Sequence, residues 1–273
     1  MIKSNMKTTD FFTLTNGVKI PAIGFGTWQI PNGEVAYNSV TAALKSGYRH
    51  VDTALAYGNE ESVGRAIRDS GIPRDEIFVT SKLPAEMKNY RNAHASFKMT
   101  MKNIGLDSID LYLIHAPWPW NQIGADYTKE NIEIWKAMEE IYESGRARSI
   151  GISNFNVKDI NAILDTCRIR PMVNQIKLHI GHAQEEITGH CRKNDIVVEG
   201  YSPLATGRIL SNKNIADIAA KYGRSVAQLS IRYVLQKNAL PLPKSTHPEY
   251  IRHNLDVDFE ISADDMAYLD CLK

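Results

Sequence analysis

Short apolar runs alternate with segments whose apolar residues recur at helical spacing along most of the chain. Ile23 to Thr27 is followed by Val35, Val40, Ala43 and Leu44; His50 to Thr53 by Val63 and Ile67; Ile77 to Ser81 by Phe97, Met101 and Ile104. The same order continues with Leu111 to His115 before Ile134, Trp135, Met138 and Ile141, and Ile150 to Ser153 before Val157, Ile160 and Ile163. Met172 to Ile176, Ile196 to Tyr201 and Leu240 to Lys244 add three strands, with helical stretches near 185–193 and 215–236. These periods predict strand then helix, eight times over. Ahead of the series, Phe11 to Leu14 and Val18 to Ile20 flank Thr15-Asn16-Gly17. Asn-Gly between apolar alternations predicts a hairpin with both turn positions at positive φ. Ser262 to Leu272 reads as an extra helix after the eight units. Gly47 and Gly145 are expected helix stops, and Asn156 with Asp159, and Thr246 with Glu249, expected N-terminal caps.

Strands that are apolar along their whole length must be covered on both faces, which calls for a parallel sheet wrapped by helices. Eight units fit a closed sheet better than an open one. With no linker-like or low-complexity stretch, the chain of 273 residues reads as an α/β protein, a single-domain (β/α)8 barrel over residues 1–273 with an N-terminal hairpin and a C-terminal helix. A composition 43% hydrophobic and 23% charged excludes a disordered chain. Lys+Arg 32 against Asp+Glu 31 speaks against a nucleic-acid partner, because binding by counterion release needs a basic excess. Cys167, Cys191 and Cys271 lack disulfide or zinc spacing, Met1 to Lys7 has no apolar core of an export signal, and no apolar stretch is long enough to span a membrane. A cytoplasmic protein without membrane contact is expected.

Function in such a barrel sits at the C-terminal ends of the strands. The polar residues there are Asp52, Lys82, His115, Ser153 with Asn154, Gln175, Tyr201 and Lys244. A charge at the end of an apolar strand is costly unless compensated, so Asp52 and Lys82 are expected to pair, with His115 one strand further on. Tyr57, in the loop after Asp52, is expected to fold over the barrel mouth, where a nearby ammonium would lower its pKa from about 10 and make it a usable acid. His179, His182, His190 and Cys191 match no metal-site spacing, and no metal is expected.

These residues stand in a run of motifs: Gly47-Tyr48-Arg49-His50-Val51-Asp52-Thr53-Ala54 with Tyr57 and Glu60, Thr80-Ser81-Lys82-Leu83, Leu113-Ile114-His115-Ala116-Pro117, Gly151-Ile152-Ser153-Asn154-Phe155 and Val173-Asn174-Gln175. In content and order the run resembles the aldo-keto reductase family over nearly the whole chain. The resemblance implies NAD(P)H-dependent reduction of an aldehyde or ketone, a small-molecule carbonyl substrate, without a Rossmann domain. It implies Tyr57 as proton donor, Lys82 and Asp52 tuning it, and His115 orienting the carbonyl oxygen. Ser153, Asn154 and Gln175 would hold the nicotinamide carboxamide and Tyr201 stack on the ring. Gly26, Thr27, Asp52, Ser202, Leu204, Gly207, Lys244, Ser245, His247, Tyr250 and Asn254 complete the implied cofactor contacts. Lys244 favours NADPH, with NADH left open because Tyr250 stands where the family commonly has arginine. Lys177 replaces a usual glutamate, and nothing in the sequence explains it. Trp28, Trp118 and Trp120 would wall the substrate pocket beside Tyr57 and His115, with Trp28 and Trp118 the closer matches to the family. A monomer is expected, a homodimer left open. Two rival readings are a barrel lyase or aldolase with Lys82 as Schiff base, and a nicotinamide-sensing subunit without turnover.

Overall fold

In the computed structural model, which describes residues 6–272, the Asn16-Gly17 signal becomes an antiparallel hairpin of β1 (Phe11–Thr13) and β2 (Lys19–Pro21). The first five residues, part of the stretch read as lacking an export signal, and Lys273 lie outside the described residues. The turn differs from expectation. Only Gly17 has a positive φ, 84°, and the loop closes through Leu14 N to Val18 O at 2.9 Å and Gly17 N to Leu14 O at 2.8 Å. Asn16 is free of the left-handed conformation, and its side chain donates to Arg148 O at 2.9 Å, which ties the hairpin to the barrel base.

Eight parallel strands follow: β3 (Phe25–Gly26), β4 (His50–Asp52), β5 (Phe78–Leu83), β6 (Leu111–Ile114), β7 (Ile150–Ser153), β8 (Val173–Lys177), β9 (Val197–Tyr201) and β10 (Leu240–Leu242). They pair in sequence order from β3 to β10. Gly24 N to Pro241 O and Gly26 N to Pro243 O, both 3.0 Å, join the two ends of the sheet into a barrel. The glycines make that approach feasible. A Cβ on Gly24 would lie 2.5 Å from His50 Nδ1 and from Leu242 Cδ2, and one on Gly26 would lie 3.3 Å from Leu242 O. Gly24-Phe25-Gly26 is therefore a closure device and not a phosphate-binding turn.

The stretch read as one helix over 215–236 is two, Lys213–Lys221 and Val226–Gln236, divided at Gly223 with φ 63°. A capping box of Ser225 and Gln228 starts the second. The Asn156–Asp159 box forms as expected, whereas Thr246 caps nothing: the helix Pro248–His253 begins with His247 at its N-cap and proline at its first turn. The final helix spans Ala263–Cys271 behind a Ser262 cap. No helix among the described residues is long and apolar enough to cross a membrane.

The main core lies between helices and sheet, around Trp135, Tyr48, Phe25 and Ile114. A second cluster fills the lower barrel, where Phe12, Leu14 and Ile20 of the hairpin meet Phe78, Leu111, Leu113, Val173, Leu240 and Leu242. Alternate residues of a strand face the same side. Leu111 and Leu113 thus lead up to His115, and Val173 to Gln175, so an apolar plug supports a polar layer at the C-terminal mouth.

Candidate active site

β4 and β5 lie side by side, with Asp52 opposite Thr80 in register. Lys82, fully buried, reaches across with Nζ 2.7 and 2.8 Å from the two Asp52 oxygens and 2.8 Å from Thr53 O. An ammonium has three donors, and all three are used. Burial by itself would push Lys82 down, but the charges of Asp52, Tyr57 and Glu199 and the Asp52 hydrogen bonds outweigh it and hold the group above the usual lysine range.

Tyr57 ends a short 3-10 turn, Leu55–Tyr57, closed by Gly58 with φ 68°. The loop is pinned on its far side. Asn59 accepts from Thr53 Oγ1 at 2.8 Å and donates to Thr27 O and Ile30 O, both at 3.0 Å, while Glu60 accepts from Ser81 at 2.7 Å and Asn103 at 3.1 Å. The half-buried phenol then points inward, with Oη 3.5 Å from His115 Nε2 and Lys82 Nζ 5.0 Å from the ring centroid. The expected lowering of the Tyr57 pKa is not found. Loss of water around the phenol raises it, Lys82 pulls it down, Asp52 raises it again, and the net shift is upward. Tyr57 therefore carries its proton at neutral pH, with the Lys82 ammonium beside its ring.

His115 is pushed down to about 3, first by burial and then by the Lys82 charge, so its imidazole is neutral. Its backbone oxygen accepts from Asn154 Nδ2 at 2.9 Å. That bond steadies Asn154 in a left-handed conformation, φ 63°, which costs a non-glycine residue about 1 kcal/mol or more. The His115 ring should show no protonation between about pH 5 and pH 8, the range in which exposed histidines titrate; a histidine-resolved NMR titration with His115→Asn as assignment control checks this, and a midpoint near 6.5 for His115 would contradict it.

A cavity of about 700 Å³ opens above these groups, within the ordinary range of ligand sites. Of the expected residues, Gly26, Trp28, Asp52, Tyr57, His115, Ser153, Asn154, Gln175, Tyr201, Ser202, Leu204, Gly207 and Lys244 line it. Lys82 stands behind Asp52, and Thr27 is buried with its hydroxyl on Asp52 O at 2.9 Å. Ser245, His247, Tyr250 and Asn254 are outside the lining: Ser245 Oγ accepts from His247 N at 3.1 Å, the His247 and Tyr250 rings meet edge to face at 5.3 Å, and Tyr250 is 58% exposed. Trp118 is also outside it. The loop is fixed by Asn131 Nδ2 on Pro117 O, at 2.8 Å, so that Trp120 faces the cavity 5.5 Å from His115 and Trp118 packs behind at 5.3 Å. His179 and His182, set aside as metal ligands, lie against each other with ring centroids 5.4 Å apart.

The polar wall has one amide turned towards the opening. Ser153 Oγ donates to Gln175 O at 2.8 Å, and Asn154 Oδ1 accepts from Tyr201 Oη at 2.8 Å. Gln175 Nε2 donates to Asp52 Oδ2 at 2.8 Å and to Glu199 Oε2 at 2.6 Å, which leaves Oε1 as an acceptor for a ligand. Glu199 was not singled out in the sequence, although a lone acid two residues before Tyr201 on an apolar strand must face the same way. Ser202, Ala205 and Thr206 adopt positive φ, and this loop together with Lys244 borders the far end of the cavity. An amide acceptor, the Tyr201 ring and the Lys244 ammonium on the wall of one cavity fit a nicotinamide dinucleotide.

A carbonyl oxygen seated between Tyr57 Oη and His115 finds a proton donor and a second polar partner, while Lys82 is held by Asp52 and is not free to attack the carbon. An electron pair supplied by a bound reductant would complete a reduction, the chemistry of an oxidoreductase. The comparisons agree: the chain belongs to the Aldo/keto reductase family, whose model matches residues 22–273. It is 41% identical over 265 residues to glyoxal reductase of Bacillus subtilis (strain 168), covering 97% of this chain and 93% of the relative. A crystal structure of an aldo/keto reductase from Brucella melitensis superposes with a TM-score of 0.89 at 39% identity, covering 96% of this chain and 99% of that one. A Bombyx mori aldo-keto reductase in complex with NADP gives 0.87 at 32% identity, covering 97% of this chain and 93% of that one. This chain is an NADP(H)-dependent oxidoreductase that reduces carbonyl groups to alcohols. The lyase and sensing-subunit readings gain no support.

Proposed function

We propose that the chain works as one barrel domain in which Tyr57 gives its proton to the carbonyl oxygen of a small aldehyde or dicarbonyl compound. The observation that carries this is the pairing of Tyr57 Oη with His115 Nε2 at 3.5 Å on the cavity wall, above a charged Lys82. When bound, the reduced nicotinamide supplies hydride from C4 to the carbonyl carbon. Negative charge then builds on the oxygen. Tyr57 neutralises it by proton transfer, and neutral His115 with its hydrogen on Nε2 donates a hydrogen bond to the same atom. Lys82, kept charged by Asp52, stabilises the phenolate left behind until solvent returns the proton.

Gln175, Asn154 and Ser153 orient the carboxamide in this reading, Tyr201 supports the ring, and Lys244 with Ser245 holds the 2′-phosphate. His247, Tyr250 and Asn254 would meet the adenosine end from the helix Pro248–His253. Trp28, 46% exposed, and Trp120 form the rim of the substrate site, with Trp118 backing Trp120. An open rim of that kind suits small carbonyl compounds, and the Bacillus relative is named a glyoxal reductase. We also infer a monomer, since one chain supplies the whole site, and a cytoplasmic location, in keeping with three free cysteines.

Purified protein mixed with NADPH and a panel of short aldehydes and dicarbonyls is expected to consume NADPH and form alcohol one for one. NADPH binding without consumption would favour the sensing subunit, and borohydride trapping of substrate on Lys82 would favour the lyase. Lys244→Ala should raise the KM for NADPH about tenfold or more, the worth of a charge-assisted contact, while leaving the KM for NADH nearly unchanged. Equal losses for both cofactors would remove Lys244 from the 2′-phosphate.

A further inference from the structure

Glu199 belongs to the polar layer but plays no part in the steps above. It lies on β9 directly opposite Gln175 in register and is completely buried. One oxygen accepts from Gln175 Nε2 at 2.6 Å; the other has no hydrogen-bond partner among the described residues. The charged or titratable groups facing it are His50 and Asp52 from β4 and Lys82 from β5. On β10 the residue opposite Glu199 in register is the apolar Leu240. His50 Nε2 is 3.9 Å away, but it is bonded to Thr80 at 2.9 Å and pushed down to about 3 by burial and then Lys82, so it brings no charge. Lys82 is committed to Asp52.

The two hydrogens of the Gln175 amide thus go to two different carboxyl groups, and that fixes the direction of its oxygen. Resting on the nicotinamide reading given above, we propose that Glu199 is a positioning residue of the cofactor site: in its protonated form it holds Gln175 with Oε1 towards the cavity, and loss of its proton shifts the site's preference from the reduced to the oxidised cofactor. The physical reason is charge. The oxidised nicotinamide ring is cationic and the reduced ring neutral, so a carboxylate behind Gln175 stabilises one and is indifferent to the other. Burial, and then the Asp52 charge, push Glu199 up to about 8, against the Gln175 hydrogen bond and Lys82. By linkage, whichever cofactor form prefers the ionised acid gains affinity as pH rises through that range. Tyr57 and Lys82 are shifted above their usual ranges, and His50 and His115 to about 3, so none of them titrates in the same window.

The test is binding, read by quenching of protein fluorescence from about pH 6 to about pH 10 with NADP⁺ and with NADPH. Their ratio of Kd values cancels effects common to both, those at the 2′-phosphate included. In the unaltered protein the Kd for NADPH divided by that for NADP⁺ should rise about tenfold, with a midpoint near 8; one unit of acidity shift is one decade of affinity. Glu199→Gln, which keeps an acceptor but cannot ionise, should bind NADPH nearly normally with a flat ratio. Glu199→Leu should weaken both forms. On the protein without nucleotide, an infrared carboxylic-acid band that disappears near pH 8 and is missing in Glu199→Gln supports the same assignment. A pH-independent ratio in the unaltered protein, with both nucleotides bound, overturns the inference and leaves the reductase reading standing. Failure of either nucleotide to bind at any pH overturns the cofactor reading and this inference with it. The unaltered protein alone decides the matter if a variant does not fold.

Discussion

Tyr57→Phe should lower kcat by roughly a hundredfold to ten-thousandfold, the usual worth of a positioned proton donor, and change the Kd for NADPH by less than about twofold. The substitution removes one oxygen and keeps the ring, so the cation–π contact with Lys82 and the edge contact with His115 survive. Steady-state aldehyde reduction beside a fluorescence titration checks both halves. The raised pKa of Tyr57 adds a sign to this expectation: the resting group is a phenol at neutral pH, so reduction needs no prior proton uptake there. Turnover close to that of the unaltered protein would remove Tyr57 as donor.

The second large effect concerns stability as well as rate. Lys82→Met strands the Asp52 carboxylate in the barrel with, among the described residues, only the Gln175 amide as a polar side-chain partner. Removing one member of a buried pair costs about 3–5 kcal/mol, which lowers Tm by roughly 10 °C in a protein of this size. Turnover should fall too, because nothing stabilises the Tyr57 phenolate. The two losses can be separated. Asp52→Asn combined with Lys82→Met removes both charges and should recover part of the stability but none of the activity, a coupling read from a double-mutant cycle by thermal unfolding. A double variant no more stable than Lys82→Met would show that the stranded charge is not what destabilises it.

Much of this architecture could be read from the chain because strands buried on both faces write themselves as apolar runs. The polar residue ending each run marked the mouth of the barrel: Asp52, His115, Gln175 and Tyr201 line the cavity, and Lys82 stands behind Asp52. What was not legible depends on packing in three dimensions. The acidity of Tyr57 went the other way because loss of water around the phenol outweighs the nearby ammonium, and loop sequence does not report how deeply a ring is seated. Trp118 and Trp120 are alike in sequence, and only the anchored Pro117 carbonyl decides which faces the cavity. Gly223 was overlooked because apolar spacing carried on across it, although its positive φ ends one helix before the next begins. Glu199 was missed for a different reason. An acid inside an apolar run has no visible partner until Gln175, on the neighbouring strand, is seen to share one amide between it and Asp52.

The most direct measurement follows a deuterium label on NADPH. With the transferable hydrogen at nicotinamide C4 replaced by deuterium, the alcohol formed in a single turnover should carry one deuterium on the former carbonyl carbon, at one alcohol per NADPH consumed. Tyr57→Phe should bind the labelled cofactor and form almost none of that product in the same time. Label released to water, or alcohol formed without loss of NADPH, would contradict direct hydride transfer at this site.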